Sequence, residues 1–480
     1  MTIEQGRLLL AQAKDRLRAF RALAFFDAAR RELNREPNDG LPWMERWPHV
    51  SFLIAKWAFA SWRPNDDRPE PSPDDLNFVA QTTFDAIGQL HRVQGNAAIF
   101  IRRMAQQQIW LQRSFDASAI PRQLRILGEL MAGAAAMVRF QEQFGLSAAE
   151  FAVQLAHMAA DAGDMLQIKS MSELRPVTAR NPEHWLLVRA HLNRTVPALH
   201  QEMAALEARG TAAEVEVCEQ SPLVRTPFLE ARNLGPVCIH HKLLFRCLES
   251  VLFDLARPID ARPFMNDFGP AFENYLAEVL SDLNGQVIRE EEFRRRLIGE
   301  GQVVDFALVS DNALVLIEAK GIEGHYDELY HNLPAELAAR LRTSLLRAVD
   351  QAISTVNRLP PDLQRPEVYF LCVTFKQVVV TDGIALRELT TGTDQWAHER
   401  WNSEVLPPAR MFFPSIYELE SLVALATATS VPLSQLIREF SNDNSDNNTR
   451  KMYLEQHVTA RHVLLVAPTV VQEAAARLRR

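Results

Sequence analysis

Hydrophobic and polar positions change rhythm once along this chain. From the N-terminus to about residue 210, apolar residues recur at three- and four-residue spacing, the period of helices with one buried face. Residues 1–36 predict one long helix, opened by the capping pattern Thr2-Ile3-Glu4-Gln5 and closed by Pro37-Asn38-Asp39-Gly40. A polar, proline-rich stretch over 63–73 precedes a helix led in by Asp74-Asp75 and running to about Val93. Further helices are expected over 97–113, from Pro121 onward, and after the capping pattern Ser147-Ala148-Ala149-Glu150. No fixed repeat period is present. Residues 214–228 read as extended, and 241–255 as an amphipathic helix. Arg257-Pro258 marks a break. The chain therefore divides into 1–257, expected to be all-α, and 258–480.

Beyond that break the period of two appears. Residues 270–283 predict a helix and 286–288 a short strand, followed by a charged turn with Arg294, Arg295 and Arg296. Two apolar runs, 303–309 and 313–317, flank the turn residues Ser310-Asp311-Asn312, the pattern of a β-hairpin. Residues 334–359 read as a helix carrying Arg340, Arg342, Arg347 and Gln351. Residues 368–375 read as a strand buried on both faces. A further strand is expected over 378–380, helix over 415–440 with a break at Pro432, a polar loop over 441–448, a strand-like piece over 462–466 and a last helix to Arg480. The fold class expected is α+β overall, an all-α N-terminal domain followed by an α/β domain with a mixed central sheet.

A length of 480 residues suits two or three domains. The formal charge of −8 excludes a uniformly basic coat for nucleic acid but leaves room for a local basic groove. There is no charged-then-apolar leader and no apolar run of about 18 residues, so a cytoplasmic protein without membrane contact is expected. Four cysteines are too few and too scattered for a disulfide framework. Cys218, Cys238, His240 and Cys247 lack zinc-ligand spacing, so buried thiols are expected. Trp43, Trp47, Trp57 and Trp62 are expected in core, and His240-His241 in structural positions. Arg194 and His200 faintly resemble the RNase motif of HEPN domains, but Pro197 between them disturbs a shared helix face.

The hairpin carries the chemistry. Its apolar strands contain Asp305, Glu318 and Lys320, and charges in such surroundings are costly unless paired or metal-bound. Residues 318 and 320 share a face, and Asp305 on the neighbouring strand reaches the same side. Only Lys320, of seven lysines, has an acidic residue two positions before it. Asp305, twelve intervening residues and then Glu318-Ala319-Lys320 resemble the core motif of the PD-(D/E)XK, or restriction-endonuclease-like, nuclease superfamily over roughly 265–380. Val304 stands where that motif has proline. The resemblance implies a metal-dependent phosphodiester hydrolase acting on nucleic acid, DNA in the first place. It implies Mg²⁺ or Mn²⁺ on Asp305 and Glu318, with the Ala319 carbonyl as a further oxygen. Lys320 would position water or stabilise developing charge. Glu273 resembles the first-helix acid, and Gln351 a glutamine on the helix after the lysine. Asp350 is a lesser substitute, and His325 and Tyr326 follow the motif closely. The layout also resembles bacterial anti-phage defence nucleases, in which a recognition domain governs a toxic cutter, and it implies a protein partner or a second copy held through the helical domain. The alternative is a non-catalytic interaction protein built on a helical scaffold and a retired nuclease fold.

Overall fold

The computed structural model describes residues 3–34, 48–90, 114–163, 182–217, 221–231, 235–283, 285–321, 339, 341–390, 406–446 and 448–479. The expected helix over 97–113, Trp43, Trp47, Cys218, His325, Tyr326 and Arg340 lie outside them. The chain is mostly helical and α+β, with two small mixed sheets. It divides into two compact units, 1–120 with 141–254, and 121–140 with 255–480. Residues 121–140 belong with the second unit, so the first unit is not one continuous stretch of chain.

In the first unit the expected N-terminal helix is two helices, α1 (Ile3–Arg18) and α2 (Ala22–Leu33). The break has a tertiary cause: the Asp66 carboxylate accepts from the Ala22 N–H at 3.0 Å and Pro69 O accepts from the Arg21 N–H at 2.8 Å. A side-chain oxygen on the first free N–H groups starts a new helix. α1 buries Gly6, Leu10, Ala13 and Leu17, one stripe at helical spacing. A Cβ at Gly6 would come within 2.9 Å of Leu90 Cγ, so glycine permits the close packing of α1 against α4 (Pro73–Leu90). Between them in sequence, α3 (Pro48–Ala60) is buried on every side, including Trp57 at 3% exposure. The helix after Ser147, α5 (Ala148–Gly163), has the expected cap: the Glu150 N–H donates to Ser147 Oγ and the Ser147 N–H to Glu150 Oε2.

This unit is not all-α. After α6 (Pro182–Leu192), strand β1 (Asn193–Thr195) runs parallel to β2 (Phe228–Ala231), which pairs antiparallel with β3 (Gly235–Cys238). Three- and four-residue strands are too short to show alternation, which explains why helical periodicity dominates the sequence. Thr195 ends β1 and caps α7 (Val196–Ala208). Arg194 is thus on a strand and His200 on a helix, where His200 Nδ1 sits 2.9 Å from Phe59 O. The HEPN-like arrangement is absent. His240, buried, caps α8 (His241–Leu248) by accepting from the Lys242 N–H, and burial holds its pKa well below the ordinary value. Cys238, Cys247 and Cys372 are buried thiols outside any disulfide among the described residues.

The second unit is built on a five-stranded sheet in the order β4 (Gln286–Arg289), β5 (Phe306–Val309), β6 (Ala313–Lys320), β7 (Glu367–Thr374), β8 (Met411–Phe412). The pairs β4–β5 and β5–β6 are antiparallel, and β6–β7 and β7–β8 parallel. Helix α9 (Ala261–Leu280) precedes this sheet, and α11 (Arg347–Val356) lies between β6 and β7 in the chain; the three strands expected in succession after α9 are interrupted by a helix between β4 and β5. α9 begins nine residues before the expected start and carries Pro270 inside it. Proline removes one helical hydrogen bond, but Phe264, Phe268 and Phe272 stack across it with centroids 5.7 Å apart. Each buried ring contributes roughly 1.5–3 kcal/mol relative to exposure.

In the first unit the extended reading of 214–228 fails, since Ala213–Glu216 is helical and Pro222–Val224 a 3₁₀ turn; in the second unit four local expectations fail. The charged turn at 290–296 is a helix, α10 (Glu290–Arg296), with acids in its first turn and arginines in its last. Residues 378–380 form no strand: Val379 has φ +49°, which no strand tolerates, and β8 takes the neighbouring place beside β7. The polar run 441–448 is largely the end of a helix over Leu433–Ser445, where buried Asn444 bonds Asp382 at 2.9 Å and His457 at 3.0 Å. Residues 462–466 pair with no strand among the described residues, and Leu464 is 89% exposed. No helix among the described residues is long and apolar enough to cross a membrane.

Candidate active site

The sheet aligns the hairpin acids. In the β5–β6 ladder Phe306 pairs with Ile317, so Asp305, one residue before β5, comes opposite Glu318. Opposite residues on antiparallel strands share a face, and Lys320 follows Glu318 on that face. This is the register that the hairpin turn predicts. Asp305 Oδ2 accepts the Ala319 N–H at 2.6 Å, fastening the carboxylate to the neighbouring strand. Its other oxygen accepts no hydrogen bond from the described residues.

Lys320 Nζ pairs with Glu318 Oε1 and donates to Gln351 Oε1 at 2.9 Å. Gln351, on α11, thereby joins the group. Glu318 is only 1% exposed, and its second oxygen, Oε2, is buried without a hydrogen-bond partner. A buried, unpartnered carboxylate oxygen is costly in a folded protein and calls for an explanation.

Glu273 enters from α9. Burial, then the Asp305 carboxylate and then Glu290 push its pKa up to about 7, against the pull of Lys320. Burial raises Asp305 as well, opposed by the Ala319 N–H and Lys320. Burial and the Asp305 charge raise Glu318, again against Lys320. Three carboxyls that interact and resist ionisation, beside one lysine, form a site that favours an added positive charge.

Sequence reasoning missed Glu290. It follows Arg289, the partner of Phe306, and so arrives beside Asp305; its charge raises both Asp305 and Glu273. The signal lies in the β4–β5 register, which no single segment displays. The arginines expected in the cleft behave differently. Arg294 pairs with Glu290 and Arg296 with Glu292, all within α10. Arg342 is exposed, and so is Arg347, one turn before Gln351 on α11.

Among the described residues, no group of three or more His, Cys, Asp or Glu side chains is placed to hold a metal ion. Mg²⁺ does not require one: it takes oxygen ligands from one or two carboxylates and keeps several waters. Asp305 and Glu318 supply hard oxygens on one face, with Glu318 Oε2 buried and without a hydrogen bond. The residues present fit such a cation. No protein-family model matches the chain, and no curated protein matches it.

Proposed function

We propose that the second unit is a metal-dependent nuclease of the restriction-endonuclease-like kind, hydrolysing phosphodiester bonds in nucleic acid, with DNA as the first substrate to test. The observation that carries this reading is the buried, open oxygen of Glu318, opposite Asp305 and beside a lysine held by Gln351. The succession of α9, β4, β5, β6, α11 and β7 around it, with the short α10 set between β4 and β5, supports the same reading.

Asp305 and Glu318 would hold Mg²⁺ or Mn²⁺, with the Ala319 carbonyl as a further oxygen. When bound, the ion supplies Lewis-acid chemistry, acidifying water and drawing charge from a phosphate. Lys320 places a positive charge where negative charge develops on the phosphate oxygens. Gln351 orients that ammonium through the 2.9 Å hydrogen bond. Glu273, beside Asp305 and Lys320, would hold a water or the lysine in place. The first unit would sense or recruit, in the manner of a defence nuclease, through a protein partner or a second copy; this rests on layout alone.

A second reading has one observation in its favour. Lys320 is already neutralised by Glu318, as in a retired site on a non-catalytic binding protein. Incubating the full chain with circular DNA, linear DNA and RNA, with Mg²⁺ or Mn²⁺ and with chelator, separates the two. Cleavage that chelator stops supports the nuclease. Absence of cleavage on every substrate and metal favours the binding protein.

A further inference from the structure

Asp305 lies just outside the ladder, so the strands do not hold its backbone. The preceding segment, 298–304, is instead tied to the end of α11 and the turn after it. The Ile298 N–H donates to Arg358 O at 2.9 Å. The Arg358 guanidinium donates to Gly299 O at 3.4 Å and to Gln302 O, and is itself steadied by donating to Ser354 O at 3.1 Å. The buried Val304 N–H donates to Thr355 Oγ1 at 3.3 Å, and that hydroxyl donates to Gln351 O at 2.8 Å. Gly301 has φ +153°, and a Cβ there would stand 3.1 Å from Arg358 Cζ. Glycine lets the guanidinium lie directly against the chain.

We infer that Thr355 and Arg358 are positioning residues for Asp305. They sit one turn apart after Gln351, on the same side of the helix and its final turn. One helix therefore sets both halves of the site, the glutamine that holds Lys320 and the segment that delivers Asp305 opposite Glu318. The fully buried Thr355 does this with a single hydroxyl, which takes the Val304 N–H that would otherwise be unsatisfied. The catalytic consequence rests on the nuclease reading; the positioning does not.

The test uses the full-length chain labelled with ¹⁵N-alanine at fixed pH. The Ala319 N–H donates to the Asp305 carboxylate at 2.6 Å, so its amide proton should resonate well downfield. Thr355→Val keeps the shape and removes the hydroxyl, and Arg358→Met removes the donors. Both should move the Ala319 resonance upfield, while Thr355→Ser restores it and Ala13 and Ala80 in the other unit stay in place. If Thr355→Val fails to fold, Arg358→Met, at a partly exposed position, carries the comparison with Arg358→Lys. An unchanged Ala319 resonance in folded Arg358→Met and Thr355→Val would overturn the inference. In the cleavage assay the same two variants should lose on the order of 100-fold in kcat with KM little changed. Wild-type protein that cleaves nothing would defeat the nuclease reading, while the Ala319 shift still decides the positioning.

Discussion

Two glutamates buried beside lysines, one in each unit, are built to opposite ends. Glu216, at the end of a short helix over Ala213–Glu216, is 5% exposed. Lys14 Nζ lies 2.6 Å from one oxygen, and Trp57 Nε1 at 2.9 Å and Lys56 Nζ at 3.5 Å from the other. Burial alone would raise its pKa, but Lys56 and Lys14 outweigh that, and it lies below the ordinary value. Glu318 is more deeply buried, has one lysine on one oxygen and no hydrogen bond on the other, and lies above the ordinary value although Lys320 and Gln351 both pull it down. Glu216 is complete within the fold. Glu318 keeps a buried oxygen without a hydrogen bond, the place that the proposed cation would take. A third case in the second unit agrees with the first: Arg122 grips buried Glu420 through both oxygens at 2.7 and 2.6 Å, and the Tyr275 hydroxyl donates to it at 2.6 Å.

If that difference is one of purpose, mutation should separate the residues. Asp305→Asn should abolish cleavage and Lys320→Ala should lower kcat by about 10²–10⁴-fold, with the fold and, for Lys320→Ala, metal binding intact. Loss of folding in Lys320→Ala, seen by circular dichroism, would move the lysine to the structural class beside Lys14.

Next in size is stability. Glu216→Gln takes away the carboxylate that Lys14, Lys56 and Trp57 share, and should cost about 3–5 kcal/mol in thermal unfolding. Glu318→Gln loses one ion pair but also removes a buried charge with an unpartnered oxygen, so stability should hold or rise. Equal destabilisation by both substitutions would erase the contrast.

A smaller effect follows from pH. Glu273 rises from 4.5 to about 7 on folding, so between those values the native state binds more protons than the unfolded chain. Its contribution to stability is fully present below pH 4.5 and lost as pH rises through about 7. Metal-free wild type should lose stability across that window, and Glu273→Gln should flatten the loss. A variant with the wild-type slope would remove Glu273 from the group.

The hairpin was legible because its cues are local. Ser310-Asp311-Asn312 sets the register, and a period of two carries it to Asp305, Glu318 and Lys320. Glu273 and Gln351 needed the family resemblance, because helix residues reveal nothing of the strand they face. Glu290, Thr355 and Arg358 were hidden for a further reason: their roles exist only through the β4–β5 register and the tie between 298–304 and α11. Polarity misled at Asn444, whose partners Asp382 and His457 are buried with it. Arg122 and Glu420 stand 298 residues apart, beyond any motif.

Thermal unfolding of wild type and Glu318→Gln at pH 7.5, without metal and with Mn²⁺, tests the central claim most directly. At a hundred times its dissociation constant the ion should stabilise wild type by about 2.7 kcal/mol, and Glu318→Gln should gain little or nothing. A wild type indifferent to Mn²⁺, or a Glu318→Gln variant stabilised equally, would contradict the claim that the open oxygen of Glu318 is kept for a cation.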